Sequence, residues 1–261
     1  MAMAISATAM AGAVAALRRA GCVFAEEEAE VLAAAAADSG ALDALVRRRA
    51  LGEPLEQVVG HADFGGIRVR LRPGVFVPRV RSELLVRVAA AAAASRDRPA
   101  TVVDLCCGSG ALGLAVRHRV ADIALYAADV DPVAVECARD NLGTGVYQGD
   151  LFAALPGELA GAIDVVIANV PYVATGDIPY LPGEARDHEP ASALDGGPDG
   201  LDVFRAMIAA APEWLAPGGS ALSEITERQI EPALAAVRGA GLDPTIMSDD
   251  DLEATVIMAR R

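Results

Sequence analysis

The spacing of apolar and polar residues divides the chain into three zones. In the first fifty residues the apolar positions keep helical spacing: Ile5, Met10, Val14 and Leu17 within 5–20, an Ala-rich run from Glu26 to Ala37, and, past Gly40, Leu42, Leu45 and Val46 up to about Leu51. Glu26, Glu27 and Glu28 open the second run, where acids suit the positive end of a helix dipole. Next, Ile67, Val69 and Leu71 alternate with Arg68, Arg70 and Arg72, the period of a half-buried strand, and Pro73-Gly74 predicts the turn of a hairpin with three arginines on one face. From Ser82 onward helical and strand patterns alternate. Helices are expected at Ser82–Ala94, Ala111–Arg119, Pro132–Asn141, Leu201–Leu215 and Glu227–Ala240. Strands are expected at Thr101–Leu105, Ile123–Ala128, Gly145–Gln148, Ile163–Ala168, Ser220–Ile225, Pro244–Met247 and Ala254–Met258. The pattern predicts an N-terminal helical domain with a hairpin, 1–75, followed by a doubly wound α/β domain, 76–261.

One strand stands apart. Ile163-Asp164-Val165-Val166-Ile167-Ala168 carries five apolar residues, mostly β-branched, as a strand buried on both faces does. It then breaks into Asn169-Val170-Pro171-Tyr172. Pro171 cannot continue a ladder, and Val170 before it is pushed towards an extended conformation. An amide, a free backbone carbonyl and an aromatic ring are thereby fixed at the carboxyl end of a central strand, where open α/β sheets bind ligands. Two neutral acceptors side by side suit a planar group with two N–H donors.

A second ligand signal follows the first strand of the α/β domain: Asp104-Leu105-Cys106-Cys107-Gly108-Ser109-Gly110-Ala111-Leu112-Gly113. The glycines satisfy Gly-x-Gly-x-x-Gly, and Asp129, at the end of the next strand, stands where a ribose-binding acid belongs. A dinucleotide site has little use for the carboxylate of Asp104 beside a pyrophosphate. A ligand with ammonium and sulfonium groups and no phosphate suits it better. Gly149-Asp150-Leu151-Phe152, after the third strand, is similar to the adenine-binding segment of Rossmann-like methyltransferases, a resemblance that implies Asp150 as acceptor for the adenine amino group and Leu151 as a surface for the ring; a turn cap is the other use for Asp150.

Composition narrows the field. The chain has 261 residues, 53% of them hydrophobic, with no lysine, 22 basic residues, 36 acids and a formal charge of −14. Residues 1–75 hold eight arginines against nine acids, and the remainder fourteen against twenty-seven. An acidic α/β domain repels a phosphate backbone, which argues against DNA. Four cysteines without zinc spacing and three scattered histidines predict no metal site. The apolar runs are interrupted by charges, and Arg18 and Arg19 follow rather than precede the first one, so neither a membrane span nor a signal peptide is expected and the location expected is cytoplasmic. Arg47-Arg48-Arg49 reads as a solvated helix face or a partner contact. The Arg68/Arg70/Arg72 face reads as edge protection or a docking surface.

Taken together, these strings resemble the protein-(glutamine-N(5)) methyltransferases of the HemK/PrmC type, which methylate peptide release factors. Asn169-Val170-Pro171-Tyr172 is similar to their Asn-Pro-Pro-Tyr motif, and Asp104 to Gly110 to the first motif of Rossmann-like methyltransferases. Phe76-Val77-Pro78-Arg79 with Glu83 is similar to their Pro-Arg-Pro-Glu-Thr-Glu segment. Pro54 to Gly60, His188-Glu189-Pro190 and Leu194 to Leu201 extend the likeness. Two departures stand out: Val170 for the first Pro, and Val80-Arg81-Ser82 for Pro-Glu-Thr, which reverses a charge. The resemblance implies a Rossmann-like class I methyltransferase sheet and S-adenosylmethionine as cofactor, held by Asp104, Cys106, Cys107, Gly108, Ser109, Gly110, Asp129, Asp150, Leu151 and Asn169. It implies Asn169 and Tyr172 as catalytic residues, a substrate slot of Asn169, Val170, Pro171, Tyr172, Phe76 and Arg79, and a protein substrate, a release factor first. An exocyclic base amine, in RNA or a small molecule, is the alternative target, and a cofactor-binding protein without turnover the non-enzymatic one.

Overall fold

The computed structural model describes residues 5–261. Three helices, α1 (Ala7–Arg19), α2 (Ala25–Ala35) and α3 (Ser39–Ala50), form the N-terminal unit, followed by the short α4 (Leu55–Val59). Ser6 and Asp38 accept from the backbone N–H groups of Ala9 and Ala41, which places the starts of α1 and α3 at these caps. Leu17, Leu32, Leu42, Val46 and Val58 interlock in a core separate from that of the sheet.

The hairpin differs from the sequence reading. Its strands are β1 (His61–Phe64) and β2 (Ile67–Arg70), and its turn is Gly65-Gly66, both residues at positive φ. Pro73-Gly74 does make a turn, closed by Val75 N–H on the Arg72 carbonyl, but beyond the second strand. Four residues with only Ala62 and Phe64 facing inward are too short a pattern to reveal β1. The hairpin packs on the sheet side: Phe64 and Val69 share a core with Leu85, Val102 and Ala115, and Leu71, Val75 and Val77 gather round Cys137.

Beyond it run α5 (Glu83–Ala94), β3 (Ala100–Leu105), α6 (Ala111–Arg119), β4 (Ile123–Asp129), α7 (Pro132–Leu142), β5 (Val146–Gln148) and β6 (Ile163–Ala168). After a long connection containing α8 (Gly183–His188) and α9 (Ala191–Leu194) come α10 (Asp202–Trp214), β7 (Leu215–Ile225), α11 (Ile230–Gly239), β8 (Asp243–Asp249) and β9 (Ala254–Arg260). The seven strands are ordered β5-β4-β3-β6-β7-β9-β8; the first five run parallel, and β9 is antiparallel to both neighbours. One face packs on α5 and α6, the other on α10 and α11, giving the doubly wound architecture expected.

All six residues of β6 are buried. Asp164 survives there because Arg98 grips both its oxygens at 2.8 and 2.9 Å while Arg96 and the Thr101 N–H add further contacts. A buried carboxylate so neutralised avoids the desolvation cost of an unpaired charge. The chain leaves β3 towards β4 on one side and later fills β6 on the other. The carboxyl ends of β3 and β6 therefore meet at the switch point of the sheet, where a cleft is built.

Candidate active site

The glycine loop after β3 forms one wall of the cleft. Cys106, Gly108 and Gly110 all lie at positive φ, and for Cys106 this is an uncommon backbone state of the kind that clusters at ligand sites. Gly110 is required by packing: a Cβ there would stand 2.8 Å from Leu142 Cδ1. Asp129, at the end of β4, accepts from Gly108 N–H at 2.8 Å and Asp131 N–H at 2.9 Å. Its carboxylate is fixed at the rim, with a pKa raised mainly by burial.

Asp104 is placed differently from the expectation that it faces the ligand. It is completely buried beneath the loop, where Oδ2 accepts from Gly113 N–H at 2.8 Å, and it does not line the cavity; nor does Gly110. Burial pushes its pKa up to about 8. Oδ1 of Asp104 is left without a partner. The other expected cofactor residues, Cys106, Cys107, Gly108, Ser109, Asp129, Asp150, Leu151 and Asn169, all line this first cavity. Asp150 precedes a short 3-10 turn at Leu151–Ala154 but makes no side-chain cap, so the turn-cap use of its carboxylate is not made. Leu151 is the second non-glycine residue at positive φ in the lining.

Asn169 stands at the end of β6, where a second cavity opens beside the first. Phe76, Asn169 and Ala193 line both. Asn169 Oδ1 is buried and has no hydrogen-bond partner. Among the described residues no hydrogen bond reaches the Val170 carbonyl either. Asn169 Oδ1 thus lies at the junction and the Val170 carbonyl belongs to a residue lining the second cavity, both without a partner among the described residues, whereas buried polar groups in proteins are generally paired.

The corner is held from outside. Gln229 Nε2 donates to the carbonyls of Tyr172 (2.9 Å) and Asp199 (3.0 Å), and Val173 exchanges backbone bonds with Leu194 and Gly196. The string Leu194 to Gly200 carries glycines because it presses on this backbone. A Cβ at Gly196 would lie 2.5 Å from the Pro171 carbonyl oxygen, and one at Gly200 would overlap the Tyr172 carbonyl.

Two expected substrate residues are engaged internally. Arg79 donates to both oxygens of Glu189 at 2.7 Å, its guanidinium 4.9 Å from the centre of the Phe76 ring, so it ties the 174–199 connection to the segment before α5 while still lining the second cavity. Tyr172 lines that cavity too, but its hydroxyl donates to Glu224 Oε1 at 3.0 Å and accepts from Arg81. Burial raises its pKa further, so the phenol stays protonated and is no base. Ser82 Oγ donates to the other Glu224 oxygen at 2.7 Å, and Arg81 Nε pairs with Glu224 at 2.8 Å. Glu224 and Gln229 were not singled out from the sequence, and Glu189 was named only within the His188-Glu189-Pro190 string, without a role. For Glu224 a signal existed, a lone acid closing the apolar strand Ser220–Ile225.

Several of the clustered arginines are held in ion pairs, exposed at Arg68 and buried at Arg49. Arg48 pairs with Glu53, Arg49 with Glu28 and Glu184, Arg68 with Asp63 and Arg72 with Asp140. The 174–199 connection is partly regular, with a 3-10 turn at Thr175–Tyr180 besides α8 and α9. Among the described residues no group of His, Cys, Asp and Glu could hold a metal ion, and no helix is long and apolar enough to cross a membrane.

Which cofactor the first cavity suits follows from its lining. It carries three carboxylates, Asp129, Asp131 and Asp150, and no basic side chain to meet a pyrophosphate. With the orphaned Asn169 oxygen in the same lining, the residues fit a cation-bearing nucleoside, S-adenosylmethionine, and not a dinucleotide. Fold and site together define a Rossmann-like class I methyltransferase that uses S-adenosylmethionine. Residues 66–181 match the family described as "Methyltransferase small domain". The release factor glutamine methyltransferase of Mycolicibacterium smegmatis is 43% identical over 189 residues, 70% of this chain and 66% of that protein. That of Moorella thermoacetica is 38% identical over 210 residues, 77% and 71% of the two chains. A 4-amino-L-phenylalanine/4-methylamino-L-phenylalanine methyltransferase of Streptomyces pristinaespiralis is 39% identical over 203 residues, 75% and 69%. The chain thus spans about two thirds of the length of these relatives. Among solved structures, a ribosomal protein L11 methylase from Lactobacillus delbrueckii subsp. bulgaricus shares the fold, with TM-score 0.53 and 16% identity over 74% of this chain and 84% of that one. The chain belongs to the release factor glutamine methyltransferase family.

Proposed function

We propose that the protein methylates the side-chain amide nitrogen of a glutamine in a protein, the Gly-Gly-Gln loop of a peptide release factor being the leading target. The observation that carries this is the pair of unpartnered acceptors, Asn169 Oδ1 where the two cavities meet and the carbonyl of the next residue, Val170, which lines the second. A primary amide has two N–H donors in one plane, and these acceptors take one each. When bound, S-adenosylmethionine supplies an electrophilic methyl group on its sulfonium.

Asp129 would hold the ribose hydroxyls and Asp150 and Leu151 the adenine, leaving the transferable group on the Asn169 side. An amide nitrogen is a poor nucleophile because its lone pair is delocalised into the carbonyl. Asn169 and Val170 aim it, and as positive charge grows on nitrogen the two fixed oxygens stabilise that charge more than the ground state. The alkylated amide is acidic and loses its proton to water, so no side-chain base is needed. That agrees with a Tyr172 hydroxyl occupied by Arg81 and Glu224. A Gly-flanked glutamine reaches such a slot because glycine adopts unusual backbone angles at little cost.

With most of its arginines paired internally, the N-terminal unit offers a protein substrate apolar contacts instead: Val23, Phe24 and Leu51 are exposed. A second reading, a planar amine on a small carboxylate-bearing molecule, draws on the Streptomyces pristinaespiralis relative and on Arg81, a cation in the wall of the second cavity. Incubation with labelled cofactor and an intact release factor, its Gln→Ala loop variant, total tRNA and 4-amino-L-phenylalanine separates these readings by where the label goes.

A further inference from the structure

The second cavity is roofed in part by Leu181, Pro182, Glu184 and Ala185, that is, by the start of α8. A six-residue helix has too few hydrogen bonds to stand alone, and this one has no side-chain N-cap. Its position must come from elsewhere, and two ion pairs provide it. Just past its carboxyl end, Glu189 is gripped by Arg79. At its start, Glu184 Oε1 meets Arg49 Nη1 at 2.6 Å.

Arg49 belongs to the other core. It sits in the last turn of α3, its side chain 9% exposed; Nε and Nη2 reach Glu28 of α2 at 2.6 and 3.0 Å, and Nη1 also reaches the Glu53 carbonyl at 3.2 Å. One planar guanidinium thus joins α2, α3, the turn before α4 and the roof of the second cavity. Arg suits this role, since its rigid fork serves several acceptors at once. Close by, Gly52 comes so near the far end of α8 that a Cβ there would lie 3.5 Å from His188 Nε2.

We propose that Arg49 is a positioning residue for the substrate cavity, acting through Glu184 to set the roof helix against the N-terminal helices. This rests on the reading above that the second cavity takes the substrate. Glu184 is half exposed, and exposed ion pairs add little to folding stability. The Glu184 contact therefore governs where α8 sits, whereas the buried pair of Arg49 with Glu28 supports the fold itself. A protein bound across the N-terminal helices and the cavity mouth then meets a slot whose width is set from the docking side.

The test compares Arg49→Gln, Glu184→Gln and the double variant, with thermal melting as a check on folding. With a release factor as substrate, Arg49→Gln is expected to raise KM about three- to tenfold while kcat and the cofactor Kd stay within twofold. Glu184→Gln, which leaves the Arg49–Glu28 pair intact, should raise KM in the same direction, and the double variant should raise KM no further than Arg49→Gln alone, since both loosen the roof through the Arg49–Glu184 contact. Amide exchange at 185–189 should quicken in both single variants. Equal losses in kcat and cofactor affinity, additive KM effects, or unchanged exchange would each overturn the proposal. If the wild-type protein transfers no label to any glutamine, the substrate reading fails, and the exchange comparison alone still decides the role of Arg49.

Discussion

The two cavities share a wall but are built in opposite ways. The cofactor cavity is made mainly from strand ends close in sequence to their own loops: the glycine turn after β3, Asp129 closing β4, Asp150 and Leu151 after β5. Its shape comes from backbone, with Cys106, Gly108, Gly110 and Leu151 at positive φ. The second cavity, proposed above to take the substrate, is assembled over distance. Arg79 reaches Glu189, Arg81 and Ser82 reach Glu224, Arg49 reaches Glu184, and Gln229 braces Tyr172. A cavity of the first kind can stay fixed while one of the second kind is retuned by a few ion pairs. Relatives named for a protein glutamine and for an aromatic amino acid, at similar identity to this chain, fit that division.

The sharpest way to break the comparison is at Asn169, which serves both cavities. Asn169→Ala should lower the methyl-transfer rate roughly 10²-fold or more, as for loss of one preorganised polar group. Single-turnover kinetics at saturating cofactor measure it. On the cofactor side alone, Asp129→Ala should weaken S-adenosylmethionine binding by about 2 kcal/mol, the scale of hydrogen bonds to a charged group. Calorimetry reads this directly, and tight binding of NAD in place of S-adenosylmethionine would refute the cofactor assignment.

On the substrate side, Gly200→Ala forces a methyl group against the Tyr172 carbonyl at a positive φ and should cost about 1–3 kcal/mol of stability, as overpacking does. Denaturant unfolding measures the loss. Activity should fall with it, while cofactor affinity of the folded fraction is spared. Val170→Pro, which restores the family residue and keeps the carbonyl, should leave turnover within a few-fold.

The fold was largely legible because the strands of the parallel sheet are short, apolar and punctuated. Ile163–Ala168 and Ala111–Arg119 fall where the pattern puts them, and other boundaries move by a residue or a few. Strand β1 was not legible, since four residues hold too little periodicity. The lining of the first cavity could be read because the spacing of its residues along the chain is its geometry. Asp104 shows the limit of that reading: its place in the string was visible, but whether it faces the ligand or the glycine loop depends on burial, which sequence does not carry. The polar contacts of the second cavity join residues far apart in the chain, Ser82 and Glu224 being 142 positions apart, and nothing local marks such partners. The partners of Arg49 and Arg72 were hidden for the same reason, because their acids lie on distant elements.

A smaller effect sharpens the account of Asp104. Its folded pKa, about 8, lies above the ordinary carboxylate value of 3.8. Between those values the unfolded chain has released this proton and the folded chain retains it. Stability from this group therefore falls as pH rises through that window and levels off above 8. Asp104→Asn should flatten the decline between pH 5 and 8 in thermal melts, with the Gly113 contact kept by the amide oxygen.

The central claim, that the two bare acceptors select a glutamine amide, meets its most direct test in one labelling experiment. Labelled S-adenosylmethionine is incubated with the enzyme and an intact release factor, beside the same factor with its Gly-Gly-Gln glutamine changed to alanine, and the modified residue is located by mass measurement. The account predicts one added methyl group on that glutamine and none on the variant. Equal label on both factors, or label only on tRNA or 4-amino-L-phenylalanine, would contradict it.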